Sequence, residues 1–366
     1  MDSEKKSNKY KNMKKITSIL VLLSLSICFA EAQKNPIHWK VLSFGTDKAV
    51  TINGYVISEK NPDIHYAVSK TTVYKSTDGG KTWIVAAQKV GGFMFYMNKI
   101  PIVLHPENPD IIYIGSLPGV MKSTDGGKTW ATKKFAPAIS VVLLNPSNHD
   151  EIWAASTQAG NPGGIWVSKD AGETWQQKLK NRPSVAFDAD PTDFRMMYAG
   201  TGAGSFEKSN DAGLTWRSKK PQEGELKGLS SVTGITINPN QPNVMLLSAN
   251  GYGIFKSNDG GEAWIHTGHY LDREVKYNHK NPSEVWGISN PSLGALGGKG
   301  SVVHFSNDGG NVFVNTHADE MIEDINKKYY DGKNAQFNDI YFSPDGSRVY
   351  ICTTSGVIFT DSKGVE

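Results

Sequence analysis

The sequence predicts an all-β fold, a seven-bladed β-propeller of four-stranded antiparallel blades, its ring closed by an N-terminal strand pairing into the last blade. Three observations predict it. The pattern Ser-x-Asp-x-Gly-x-Thr-Trp recurs at Ser76–Trp83, Ser123–Trp130, Ser168–Trp175 and Ser209–Trp216. A looser copy runs Ser257–Trp264 with Ala263 in place of Thr, a decayed one runs Ser306–Phe313, and a remnant begins at Thr360-Asp361. The seven Asp residues are spaced by 47, 45, 41, 48, 49 and 53 positions, a period that holds one blade of four short strands. Finally, turn-forming clusters rich in Pro, Asn and Asp precede each motif: Asn61-Pro62-Asp63, His105–Asp110, Asn145–Asp150, Asp190–Asp193, Asn238–Asn243, Asn281-Pro282-Ser283 and Ser343–Gly346.

Each motif has a local physical reason. The Asp carboxylate accepts hydrogen bonds from backbone N–H groups of its own turn, and Gly supplies the positive φ of a tight hairpin. Thr and Trp then lead into the next strand, where the large ring wedges against a neighbouring sheet. Asp78, Asp125, Asp170, Asp211, Asp259 and Asp308 are therefore read as structural.

Blade 5 serves as the template for the rest. Its strand a is Gly234–Ile237, b is Val244–Ser248, c is Gly253–Lys256, and d starts at Ala263-Trp264. The last repeat stops after its remnant motif and lacks a d strand. Ile37–Leu42 has the character of a stranded d strand, and its pairing into blade 7 would remove the free edges. A short helix is expected near Met321–Lys328.

These motifs are those of the Asp-box, or BNR, repeat. The chain resembles the seven-bladed Asp-box propellers of sortilin-type receptors, xyloglucan-cleaving glycoside hydrolases and photosystem assembly factors. The resemblance implies that ligands bind around the central funnel, on the face carrying the d–a and b–c loops. The a–b turns and the motif turns lie on the opposite face.

Residues 1–32 read as a secretory signal peptide. Lys14-Lys15 precede an apolar run, Ile16–Ala30, and Ala30-Glu31-Ala32 forms a small-x-small cleavage site before Gln33. The run is too short to favour a membrane span. A secreted or periplasmic protein with one propeller over residues 33–366 and no transmembrane segment is expected. The leader carries six of the 39 basic and three of the 36 acidic residues, leaving 33 of each. Nucleic acid is thereby disfavoured as a partner. Only Cys352 remains beyond the leader, in the apolar run Val349–Cys352, which suits a buried hydrophobe.

Candidate site residues lie on the funnel-face loops. The loop entering blade 2 offers Phe93, Phe95 and Tyr96, rings able to stack on sugars or anchor a peptide. The loop entering blade 6 offers His269, Tyr270, Asp272 and Arg273, and the loop entering blade 7 offers His317, Asp319 and Glu320. Lys70, Arg182 and Tyr252 complete the rim. Neither zinc-ligand spacing nor a calcium loop is present, so no cofactor is expected. Asp319, Glu320, Glu323 and Asp324 are the only oxygen cluster a Ca²⁺ ion would suit.

Three enzyme classes can be compared with these residues. Sialidases, by resemblance, need three substrate-clamping arginines and a Phe-Arg-Ile-Pro signature. This chain has five arginines, two of which (Arg182 and Arg273) reach the funnel face, and Phe194-Arg195-Met196-Met197 is not the signature. Xyloglucanases place one acid on each of two propellers. The stretch matching their first catalytic segment, Tyr66–Thr71, has no acid. A different glycosidase would need two carboxyl groups, from Asp272 and Glu320 or Asp319. A polysaccharide lyase would need Arg273 or Lys70 with His269, Tyr270 or His317. The leading expectation is a carbohydrate-directed propeller, hydrolase-like or lyase-like, that acts on or binds a polysaccharide or oligosaccharide. Whether it is an enzyme is left open. The alternative is a non-catalytic scaffold that binds a protein ligand.

Overall fold

The computed structural model describes residues 37–45, 50–90, 99–219, 226–271, 273–289, 303–316, 318 and 336–361. Among these, strands form seven four-stranded antiparallel sheets. β1 (Lys40–Leu42) comes first in the chain. Blade 1 comprises β2 (Gly54–Ile57), β3 (His65–Val68), β4 (Thr72–Ser76) and β5 (Ile84–Gln88). Blade 2 comprises β6 (Ile102–His105), β7 (Asn108–Gly115), β8 (Gly119–Ser123) and β9 (Ala131–Lys134). Blade 3 comprises β10 (Ile139–Asn145), β11 (Asn148–Ser156), β12 (Gly164–Ser168) and β13 (Gln176–Lys180). Blade 4 comprises β14 (Ser184–Ala189), β15 (Met197–Thr201), β16 (Phe206–Ser209) and β17 (Arg217–Lys219). Blade 5 comprises β18 (Val232–Ile237), β19 (Met245–Ala249), β20 (Gly253–Ser257) and β21 (Ile265–His266). Blade 6 comprises β22 (Glu274–Tyr277), β23 (Val285–Ile288), β24 (Val303–Ser306) and β25 (Val314–Asn315). Blade 7 comprises β26 (Phe337–Phe342), β27 (Arg348–Thr353) and β28 (Gly356–Asp361), and its fourth strand is β1.

β1 pairs antiparallel with β28, Lys40 opposite Phe359 and Leu42 opposite Val357, consistent with the expected ring closure. Just before it, the Trp39 ring is buried edge-on to Trp286 of blade 6 (centroids 5.7 Å apart), and its Nε1 donates to the Thr316 carbonyl. The helix expected near residues 321–328 falls outside the described residues.

The hydrophobic core is distributed between blades. Each apolar cluster draws on two neighbouring blades, as the Ala186/Tyr198/Phe206 and Met245/Leu247/Trp264 sets do across blades 4 and 5. The seam between blades 7 and 1 is filled in the same way, with Tyr55 stacked on Tyr350 at 5.0 Å. Stability therefore comes from blade-on-blade burial, and a blade has no core of its own.

The motif turns are built as their residue types require. Ser123 Oγ donates to Asp125 Oδ1 (2.9 Å) and accepts the Gly127 N–H (2.9 Å). Asp125 Oδ1 accepts the Thr129 N–H (2.9 Å), and Oδ2 accepts the Thr129 hydroxyl (2.6 Å). Hydrogen bonds from Thr129 and Ser123 hold the Asp125 carboxyl at about 2. Asp78 and Asp170 are held at about 2 in the same way. Each turn is also tied to the a–b turn of its own blade: Gly79 N–H donates to Asp63 O, Gly126 to Asp110 O and Gly260 to Asn243 O. The motif turns and a–b turns therefore share one face, as expected.

The lysine preceding the motif Ser reaches the next blade. Lys122 Nζ donates to Ala171 O (2.8 Å), Lys256 Nζ to Gly309 O (3.0 Å) and Lys75 Nζ to Asp110 Oδ1 (3.0 Å). The same repeat that closes a turn thus also pins adjacent blades. Because Ser123 is buried and bonds both the carboxylate and a glycine N–H, Ser123→Ala is expected to cost about 1–3 kcal/mol in a urea titration. A loss below about 0.5 kcal/mol would show that the hydroxyl is dispensable to the turn.

Candidate functional site

The innermost strand of each blade faces the ring axis, where a cavity of ≈ 340 Å³ lies. Its walls come from blades 2 to 7: Val103, Leu143, Phe187, Ile235, Tyr277 and Tyr341 make apolar and aromatic sides. These residues lie on strands that start at the d–a loops, so the lining begins on the face where a ligand was expected.

Four charged side chains meet in this cavity. Glu274 and Lys276 lie two apart on β22 and so face the same way. Asp339 comes from β26, and Lys99 precedes β6. Lys99 Nζ lies 2.5 Å from Glu274 Oε1 and 3.1 Å from Asp339 Oδ1. Lys276 Nζ lies 2.9 Å from Asp339 Oδ1 and 3.2 Å from Glu274 Oε1, and it also donates to the Ile340 carbonyl (2.5 Å). Burial alone would raise the Asp339 carboxyl, but the Lys276 and Lys99 ammonium groups outweigh it and hold it at about 2. At Glu274 burial wins over the same lysines and pushes the carboxyl up. Two neighbouring carboxyl groups are thereby driven apart in acidity. Arg273 lines the same cavity and donates from Nη1 to the Phe337 carbonyl.

A sixth charged residue, Asp188 of β14, also lines the cavity. Its Oδ1 accepts the N–H of Ala189 (2.9 Å), and among the described residues it makes no ion pair. Burial pushes its carboxyl up to about 7, against the backbone N–H groups of Ala189 and Ile237. On the blade 7 and blade 6 walls two buried acceptors also lack donors among the described residues: Oδ1 of Asn338, whose Nδ2 donates to Ile52 O (2.8 Å), and Oε2 of Glu274.

The sequence-derived candidates that the structure describes are dispersed. Asp272, His317, Asp319, Glu320, Phe93, Phe95 and Tyr96 lie outside the described residues, as do Glu323 and Asp324. Of the others, only Arg273 lines the central cavity. His269 is packed against Phe313 (rings 5.3 Å apart), its Nε2 accepting the Phe313 N–H, and burial lowers its pKa. Tyr270 is exposed beside His266, and Tyr252 is half-exposed, its carbonyl accepting from His266 Nε2. Lys70 is exposed at the b–c turn of blade 1. Arg182 lies 3.5 Å from the buried Glu207 carboxylate, which also accepts from Ser205 and Ser218 (2.9 Å each). The six motif Asp residues all bond within their own turns, each accepting its motif Ser or Thr.

Sequence reasoning passed over Lys99, Asp188, Glu274, Lys276 and Asp339. A signal was present. Glu274-Val275-Lys276-Tyr277 and Asn338-Asp339-Ile340-Tyr341 put charges inside first strands, where an alternating residue can only face the axis.

No family model and no curated protein matches this chain. Solved structures do resemble it. YCF48 bound to a D1 peptide has a TM-score of 0.60 at 16% identity, over 90% of this chain and 99% of that one. YCF48 from Cyanidioschyzon merolae has a TM-score of 0.59 at 17% identity, over 88% and 98%. An ancestral GH74 enzyme has a TM-score of 0.61 at 18% identity, over 88% of this chain and 47% of the enzyme, so the chain spans about half its length. At these identities the likeness defines the fold, a seven-bladed β-propeller, and leaves the activity open.

Proposed function

We propose that this protein is a recognition propeller that binds a segment of another polypeptide at the loop face of its channel. The observation that carries this reading is the pairing of Glu274 and Asp339 with Lys99 and Lys276 at 2.5–3.2 Å. Carboxyl groups bound to shared ammonium ions are poorly placed to flank a glycosidic bond, where one must protonate a leaving group and the other must attack or activate water. Ion-paired walls around a cavity with apolar sides suit recognition. The likeness to YCF48, described with a bound D1 peptide and matched over nearly its whole length, supports the same reading. Export through the leader at residues 1–32, ending near Ala32-Gln33, belongs to this proposal.

One observation favours glycan hydrolysis as a second reading. Glu274 is pushed up while its neighbour Asp339 is held at about 2, the division of labour that an acid and a nucleophile require. One screen separates the two. Residues 33–366 are titrated with an arrayed peptide library and with neutral and uronate-containing polysaccharides, reading binding, reducing-end release and unsaturated products together. Saturable peptide binding without glycan turnover is expected. Turnover lost in Glu274→Gln, or in Asp272→Asn with Glu320→Gln, would overturn the recognition reading.

A further inference from the structure

We propose that the central cavity is a receptor for one organic cation, the ammonium or guanidinium of an inserted lysine or arginine side chain, with Asp188 as its counter-ion. The inference rests on the recognition reading in taking the cation from a polypeptide.

The argument begins with unmet hydrogen-bonding capacity. The cavity's cations are each engaged: Lys276 by Asp339, Glu274 and the Ile340 carbonyl, Lys99 by Glu274 and Asp339, and Arg273 through Nη1 by the Phe337 carbonyl. Three of its hydroxyl donors are occupied as well, Ser140 on Ser184 O, Tyr341 on Ile57 O and Tyr277 on Gly309 O. The acceptors are in surplus. Among the described residues Asp188 makes no ion pair, and the buried Oδ1 of Asn338 and Oε2 of Glu274 have no donor, against one buried lining donor, Arg273 Nε, without an acceptor. Buried polar atoms are ordinarily satisfied, so this surplus calls for a donor-rich guest.

Shape and charge agree. A volume of ≈ 340 Å³ is at the lower end for ligand sites, enough for one side chain. Its apolar walls would cover an aliphatic stem, and Tyr341, on the same face of β26 as Asp339, presents a ring of the kind that attracts cations. The described lining carries three cations, Lys99, Lys276 and Arg273, and three carboxyl groups, but the cations lie on the blade 2 and blade 6 walls, and Asp188 of blade 4 forms an ion pair with none of them. Around Asp188 the other described titratable groups are Asp190 just after its strand, Tyr198 on β15 and Lys276 on β22, while β18 and β10 offer Thr236 and Ser140. Lys276 is the one cation among them, and its ammonium is already shared by three acceptors.

A pH signature follows. Burial pushes the Asp188 carboxyl up to about 7, and a bound cation would ionise it. Below about 7 each binding event must therefore expel a proton, so affinity should weaken by about tenfold per pH unit on going from 7 toward 5.5. Above about 7 it should level off.

The test is calorimetric titration of residues 33–366 with Nα-acetyl-lysine methylamide, its Nε-acetylated counterpart, Nα-acetyl-arginine methylamide and n-butylammonium, between pH 5.5 and 8. The charged probes should bind at least about tenfold more tightly than the Nε-acetylated one, with the stated pH dependence. Asp188→Asn keeps the Ala189 hydrogen bond and should abolish both effects. If that variant misfolds, the wild-type charge preference and pH profile still decide. Equal binding of charged and acetylated probes, no binding of any probe, or a flat pH profile overturns the proposal. Asp188-dependent binding of n-butylammonium with no peptide bound in the library screen would sustain the cation site and overturn its polypeptide source. Peptide binding indifferent to Asp188→Asn would sustain recognition and overturn the cation site.

Discussion

Replacing Lys276 with methionine is expected to destabilise the protein by about 3–5 kcal/mol, because it strands charge that the fold has already buried. Lys276 bonds Asp339, Glu274 and the Ile340 carbonyl, and its removal would leave two carboxyl groups on Lys99 alone. The loss should depend on pH, and its sign follows from Asp339. That carboxyl is held at about 2 in the folded protein, below its ordinary value of 3.8. It therefore contributes stability that is present above about pH 4 and is lost as pH falls through about 2. The gap between wild type and Lys276→Met should be widest above pH 4 and should narrow toward pH 2. Adding Asp339→Asn should recover part of the loss, since the pair couples directly. Urea titrations at several pH values measure all three quantities. A gap under 1 kcal/mol, or one constant with pH, would mean that the network contributes little to holding blades 2, 6 and 7 together.

Trp39→Ala should cost a comparable amount, about 3–5 kcal/mol, as large-to-small changes at buried aromatics do. Trp39 precedes the strand that completes blade 7, yet its ring packs on Trp286 of blade 6 and its Nε1 donates to Thr316 O. It therefore ties the strand that completes blade 7 to blade 6. Trp39→Phe retains a ring and loses the hydrogen bond, so it should cost less. Thermal melts with limited proteolysis would show where the damage lies. Early cleavage is expected next to β1 and within blade 7, and cleavage spread evenly around the ring would argue against a closure role for this residue.

Much of the architecture was legible in the chain. Blade number, strand order and the chemistry of the motif turns follow from a repeat of local interactions, each within about ten residues. The blade 5 strands expected at 234–237, 244–248 and 253–256 are observed at Val232–Ile237, Met245–Ala249 and Gly253–Ser257. Ser, Asp, Gly and Thr each make the bond their type suits, so the turn chemistry needs no knowledge of the ring. The candidate site was much less legible. Density of titratable groups pointed to His269 and Tyr270, but these continue the outer edge of blade 5. His269 packs on blade 6 and Tyr270 lies in the open, both away from the cavity.

The groups that do meet on the axis are far apart in sequence. Lys99 and Glu274 are separated by 175 positions, and Lys276 and Asp339 by 63. Their pairing depends on blades 2, 6 and 7 presenting inner strands at matching heights, which no local pattern encodes. The same holds for Asp188, whose carboxyl is pushed up by burial within the enclosing ring. Local periodicity in this chain determines the blades, because hairpins form from neighbours in sequence. Ring closure alone decides which charges are paired and which carboxyl is left facing the cavity.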